Sequence, residues 1–204
     1  MVKKIAMACL IMASGSIVQA GDVSESRTFV GFEIESTKTN YTLNLNGVIP
    51  ENLDNGSVVE YGARIGAEND EWRTTLLYTY YSDKDSGDEE TMNKASLLID
   101  YFFWNTDTGD VNIKPYIGAH VGYLSYKLTS DNLILGSNIT IANDDGIFYG
   151  GQVGVEVLFS EVIGLDLSYK YSLTSISATP ITLPNSNFDL DSMGSVAFSI
   201  NYFF

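Results

Sequence analysis

Eight stretches of this chain alternate apolar and polar residues with a period of two, and that pattern limits the fold more than any motif does. They lie at about 28–36, 57–67, 72–81, 92–103, 113–126, 147–159, 163–173 and 193–204. In the seventh, Leu165, Leu167, Tyr169, Tyr171 and Leu173 share one face, and Asp166, Ser168, Lys170 and Ser172 share the other. In the eighth, Val196, Phe198, Ile200, Tyr202 and Phe204 oppose Ser195, Ala197, Ser199 and Asn201. Successive side chains of a strand point to opposite faces, so each stretch reads as a strand with one apolar side. A soluble β-sandwich alternates too. Two features favour a membrane. The stretches run to ~10 residues or more, the length of a tilted membrane-spanning strand, against ~5–6 in soluble sheets. The connectors also differ by side. Those at 68–71, 105–112 and 160–162 are short; those at 37–56, 127–146 and 174–192 are long, and 82–91 is intermediate.

Closure follows from solvent. Lipid offers no partner to an open sheet edge, so a sheet crossing a membrane must close on itself. The expected fold is all-β: an antiparallel, eight-stranded, up-and-down transmembrane β-barrel over residues 21–204. The aromatic positions agree. Trp72, Tyr101, Phe103, Phe159, Tyr202 and Phe204 fall near one end of their strands; Tyr78, Tyr80, Tyr123, Tyr149, Tyr169 and Tyr171 fall toward the other. All share the apolar parity, as two interfacial girdles require.

The first 20 residues differ from the rest. Lys3 and Lys4 precede an apolar run from Ile5 to Met12, and Val18-Gln19-Ala20 precedes Gly21. This order reads as a cleaved secretory signal over 1–20. Cys9, the one cysteine of the chain, lies inside it, so the remainder is expected to hold no disulfide and no thiolate metal site. Net charge is −15, which excludes nucleic acid as a natural partner.

The chain ends in Ser199-Ile200-Asn201-Tyr202-Phe203-Phe204. A terminal Phe204 preceded by Tyr202 and Ile200 resembles the signal read by the barrel-assembly machinery of Gram-negative bacteria. With the eight strands, it makes the mature chain similar to the small outer-membrane barrels: the transmembrane domain of outer membrane protein A and the opacity-type surface proteins. The resemblance implies residence in the outer membrane, contact with its lipid and lipopolysaccharide, and passage by periplasmic chaperones and the assembly machinery. It implies no cofactor. Some small outer-membrane barrels are lipid-A-modifying enzymes with a histidine and a serine on the outer face. Here His120-Val121-Gly122 lacks the serine, and His120 has inward parity.

The inward face carries Glu33, Glu35, Glu60, Asp100, Glu156 and Asp166 with Arg64, Arg73, Lys94, Lys114 and Lys170. An eight-stranded barrel is only wide enough for side chains to fill it, so these charges must meet. Strand direction places Arg64, Arg73 and Lys114 with Asp100, Glu156 and Asp166 in the lower half, and the other five higher. Glycines at 31, 62, 66, 118, 122, 150 and 154 leave space on the same face, where water could enter. The run Asp83-Lys84-Asp85-Ser86-Gly87-Asp88-Glu89-Glu90 reads as an acidic loop tip, without the glycine spacing of an EF-hand. The long connectors carry apolar residues in partial alternation, which suggests strands continuing above the membrane.

The reading is a non-catalytic barrel with a structural or surface-interaction role and a charge-plugged lumen. The alternatives are a narrow cation-preferring pore and a conduit for small hydrophobic compounds. Cleavage is expected after Ala20: N-terminal sequencing of the exported protein should begin at Gly21, and a start at Met1 or a lipid-modified Cys9 counts against the signal.

Overall fold

The computed structural model describes residues 26–45, 51–54, 57–85, 88–107, 111–132, 137–159, 161–178 and 186–204. The expected signal over 1–20 lies outside them. Eight long strands run β1 (Arg27–Leu45), β2 (Val58–Glu68), β3 (Trp72–Asp85), β4 (Asp88–Phe102), β5 (Asn112–Asn132), β6 (Ser137–Leu158), β7 (Ile163–Ala178) and β8 (Ser186–Phe203). Each pairs antiparallel with its chain neighbour, and β8 pairs with β1 to close the ring. Two short segments, Glu51–Asp54 and Thr106–Asp107, add to β1 and β5.

The register fixes the geometry. Paired residues lead around the ring from Lys38 through Gly194, Tyr171, Gly151, Ala119, Ile99, Thr74 and Ala67 to Thr28. The path returns to β1 ten residues below its start. That stagger over eight strands, at ~3.3 Å per residue and ~4.8 Å between strands, gives a tilt of about 40° and a backbone radius of about 8 Å.

On the outer surface, Val30, Phe32, Ile34, Tyr61, Ile65, Ile117, Val153, Leu167, Phe198 and Ile200 are exposed, as are all twelve girdle aromatics. On β3, Trp72 and Tyr80 mark the two girdles about 20 Å apart along the axis. One rim is tight. Asn69 Oδ1 accepts the Glu71 and Trp72 amides at 2.9 and 2.7 Å, which forms the β2–β3 turn. At the β1–β8 seam, the Phe204 amide donates to Thr28 O at 2.9 Å, and Thr28 Oγ1 donates to Phe204 O at 3.0 Å.

The strands outrun the expected spans on the opposite rim. β1 reaches Leu45 rather than residue 36, β5 reaches Asn132 rather than 126, and β6 starts at Ser137 rather than 147. The stretch read as an acidic loop is mostly strand: Asp83 pairs with Glu90, and Asp85 with Asp88. The partial alternation of these segments therefore belongs to hairpins that carry the wall upward. Register shifts at Asn40/Tyr41, Leu128/Thr129 and Leu190/Ser192 occur in this upper zone, where no lipid demands a fixed outward parity.

The inward glycines do not leave open space. A Cβ at Gly154 would lie 2.5 Å from the Tyr116 ring, and one at Gly66 would lie 2.6 Å from the Phe29 ring. Large side chains from neighbouring strands fill the room that water was expected to take. Gly154→Leu should destabilise the barrel by roughly 1–3 kcal/mol through overpacking. Gly151→Leu, on the outward face with only Gly118 O at 3.6 Å, should leave it unchanged. Urea unfolding of the detergent-folded protein, followed by tryptophan fluorescence, compares the two.

Candidate functional site

The lumen is layered along the barrel axis. At the tight rim, Phe29, Leu158 and Phe203 form a small apolar base. Above it lies a first charged layer. Arg73 on β3 is the centre, with 1 % of its surface exposed. Its Nε donates to Asp100 Oδ2 at 2.9 Å, and its Nη1 donates to Asp166 Oδ2 at 2.7 Å and Glu156 Oε1 at 3.2 Å. The guanidinium also stacks over Tyr116, 4.4 Å from the ring centre, while Tyr116 donates its hydroxyl proton to Asp166 Oδ1 at 2.8 Å. Gln152 donates to Asp100. β3 and β7 stand four strands apart in a ring of eight, so the Arg73–Asp166 pair crosses the full bore.

Toward the rim, Lys114 donates to Glu68 Oε1 and to Asn69 O, both at 3.2 Å. Arg27 reaches the same Glu68 oxygen at 2.7 Å and lies over the Phe203 ring at 4.2 Å.

The second charged layer is a chain of alternating sign. Arg64 donates to Glu33 Oε2 at 3.0 Å and to Ser199 Oγ at 2.5 Å. Lys170 bridges Glu33 and Glu35, reaching Glu35 Oε2 at 2.9 Å. Lys94 bridges Glu35 and Glu60, reaching Glu60 Oε1 at 2.8 Å, and Thr79 donates to Glu60 Oε2 at 2.9 Å. Three acids meet three bases, and every carboxylate is hydrogen-bonded. Burying such charges is tolerable only with this degree of pairing.

Above this lies an inward apolar layer of Met92, Leu124, Phe148, Ile176, Leu190 and Met193. Between the layers is a cavity of about 20 Å³ bounded by Glu35, Lys94, His120, Lys170, Phe148 and Met193. His120 sits at this boundary. Its Nε2 is 2.8 Å from Ser172 Oγ, but its Nδ1 has no hydrogen-bond partner among the described residues. A serine and histidine in contact are two parts of a nucleophilic triad. The carboxylate that would orient the ring is missing from Nδ1.

The eleven inward charges expected from sequence all lie in the lumen, but their partners differ from the lower-half grouping of three against three. Arg64 reaches up to Glu33. Its cross-strand partner is Gly31 and that of Glu33 is Gly62, so the long side chain runs diagonally through space the glycines vacate. Lys114 turns down to Glu68 rather than to Asp100, Glu156 or Asp166. Glu68 and Arg27 were missed. Glu68 continues the parity of Glu60, Gly62, Arg64 and Gly66 but abuts Asn69-Asp70-Glu71 and so resembled turn; Arg27 continues the parity of Phe29, Gly31 and Glu33. With them, the lower layer holds four acids against three bases. Glu156 is the least satisfied acid: Oε1 takes Arg73 and a 3.4 Å contact from Asn201, and Oε2 has no hydrogen-bond partner among the described residues. No cluster of three or more His, Cys, Asp or Glu suited to a metal ion occurs among the described residues.

Removing Arg73 should be severe and removing the Glu156 charge mild. Arg73→Ala strands three dry carboxylates and should cost roughly 3–5 kcal/mol. Glu156→Gln should cost less than about 1 kcal/mol, because it relieves the surplus acid and keeps an acceptor oxygen toward Arg73. Denaturant titration in the same detergent checks the order.

No protein-family model matches the chain, and no curated protein matches it. Solved structures do. The outer membrane protein OprG from Pseudomonas aeruginosa aligns with a TM-score of 0.57 at 16% identity, over 88% of this chain and 97% of that one. The outer membrane protein AlkL, solved by solid-state NMR in lipid bilayers, aligns with a TM-score of 0.55 at 14% identity, over 91% and 93%. At such identities the likeness speaks for fold: this chain is an eight-stranded barrel of the outer-membrane type.

Proposed function

We propose that this protein is a non-catalytic bacterial outer-membrane barrel with a structural or surface-interaction role, its lumen held shut by paired charges. The observation that carries the reading is the contact between Arg73 and Asp166 across the whole bore at 2.7 Å. Two charged layers and an apolar layer then succeed one another along the axis, and the cavity between them holds room for about one water. The outward face from Trp72 to Tyr80, and at the same height on every strand, is apolar or small, which fits lipid on all sides. The short-turn rim faces the periplasm and the long hairpins face outward.

Ile200, Tyr202 and Phe204 project outward at the seam strand, where the assembly machinery would read them. Periplasmic chaperones would carry the chain there. Phe204 also ties β8 to β1 through Thr28, so recognition and closure use the same end of the chain.

A second reading has its own support. The inward layer of Met92, Leu124, Phe148, Ile176, Leu190 and Met193 gives the mouth an apolar floor, which suits a small hydrophobic compound entering from outside better than it suits an ion. Planar-bilayer recording separates the readings. The wild type should show no steady open level, and Arg73→Ala should add at most small, brief openings, because the second charged layer and the apolar layer still stand across the bore. A large steady wild-type current that Arg73→Ala leaves unchanged overturns the plug in favour of a pore.

A further inference from the structure

We infer that a groove on the outer wall, built around Lys38, holds a phosphate group of an outer-leaflet glycolipid of the lipopolysaccharide type. The inference rests on the outer-membrane reading above and gives that lipid a site.

Between the two girdles, the described outward positions carry no charge. Lys38 on β1 is the first cation above this belt. It is exposed, points outward, and has no ion-pair partner among the described residues. Its row of paired residues is Lys38–Gly194–Tyr171, and the row beneath is Ser36–Val196–Tyr169. Paired rows incline with the strand tilt, so Lys38 stands about 6 Å above Tyr171, just above the tyrosine girdle, at the height where phosphates meet acyl chains.

The wall there is concave. A groove of about 490 Å³ runs between β1, β8 and β7, lined by Ser36, Lys38, Asn40, Tyr169, Tyr171 and Gly194 among others. Gly194 makes the room: a Cβ at this position would lie 3.0 Å from the Tyr169 hydroxyl. Lys38, Ser36, Asn40, Tyr169 and Tyr171 line this space, bringing an ammonium, hydroxyls and an amide to its walls. Asn40 is itself set by donating to Ser192 Oγ at 3.0 Å. These groups can donate to a phosphate, and a charge-assisted bond from Lys38 is the strongest of them. Directly below, Ile34, Phe198 and Leu167 form an apolar row on which the acyl chains of the same molecule can lie. A free anion would use only the upper half of the groove; a phosphorylated, acylated lipid uses both.

The test is lipid binding by native mass spectrometry of the full chain folded in dodecyl maltoside. The probes are bisphosphorylated lipid A, the same lipid dephosphorylated, and inorganic phosphate. The wild type should retain lipid A, and Lys38→Gln should weaken retention by about tenfold or more. Gly194→Leu should do the same by filling the groove with no change of charge. Lys127→Gln, which removes an outward cation on β5 far from the groove, should leave binding unchanged. Dephosphorylated lipid A should bind about tenfold more weakly. Equal binding by Lys38→Gln, an equal loss with Lys127→Gln, no loss with Gly194→Leu, or equal binding of the dephosphorylated lipid overturns the site. Displacement of the lipid by millimolar phosphate alone also overturns it, in favour of a free-anion site. Heat-modifiable migration on gels shows that each variant is folded. Cell fractionation tests the outer-membrane reading separately, since a protein absent from that membrane refutes it whatever the micelle binding shows.

Discussion

The pairing of β1 with β8 is the interaction on which everything else depends. It joins the two ends of the chain from Phe29↔Phe203 up to Leu45↔Ser186, and without it both edges of the sheet would present unpaired backbone to lipid. The same pairing sets the stagger, and the stagger sets the radius. At about 8 Å, the bore is narrow enough for one arginine to touch the opposite wall and wide enough that the lumen cannot be closed by backbone alone. The side chains must therefore complete the interior, and their charges must neutralise one another over a few ångströms.

The two charged layers do this differently. The upper one distributes charge along a chain in which Lys170 and Lys94 each serve two carboxylates, so no single contact dominates. The lower one concentrates three carboxylates on one guanidinium, and aromatic rings cover the cation. A planar fork suits that arrangement, because its donors are fixed in direction and its faces accept stacking. Lysine would satisfy the charge but not the geometry. The surplus acid in this layer is borne where the carboxylate has its weakest contacts, at Glu156.

Much of this was legible in the sequence because membrane solvent imposes strict parity. Leu165 to Leu173 and Val196 to Phe204 declare their outward faces without ambiguity, and the eight long strands and the antiparallel ring followed. What was hidden has physical reasons. Phe29, Phe148, Met92 and Met193 point inward, and an apolar residue on the polar parity breaks no visible rule until the layer it builds is seen. Glu68 was masked by the polar turn beside it. The partners of Arg64 and Lys114 depend on which neighbouring position is glycine and on how far a long side chain reaches, neither of which the spacing along one strand contains. Strand ends on the long rim were short in the reading because, above lipid, polar and apolar residues no longer sort by face.

The overshoot of the wall has a spatial consequence. From Tyr123 the strand β5 continues for nine residues, which carries its end at Asn132 about 20 Å above the girdle. The ladder bonds of β5 and β6 persist throughout that height, interrupted by one shift. The described wall is thus paired strand, not irregular loop, well above the girdle. Substitutions along the upper part of β5 and β6 therefore fall well clear of the girdle that meets lipid and of the charged layers in the lumen.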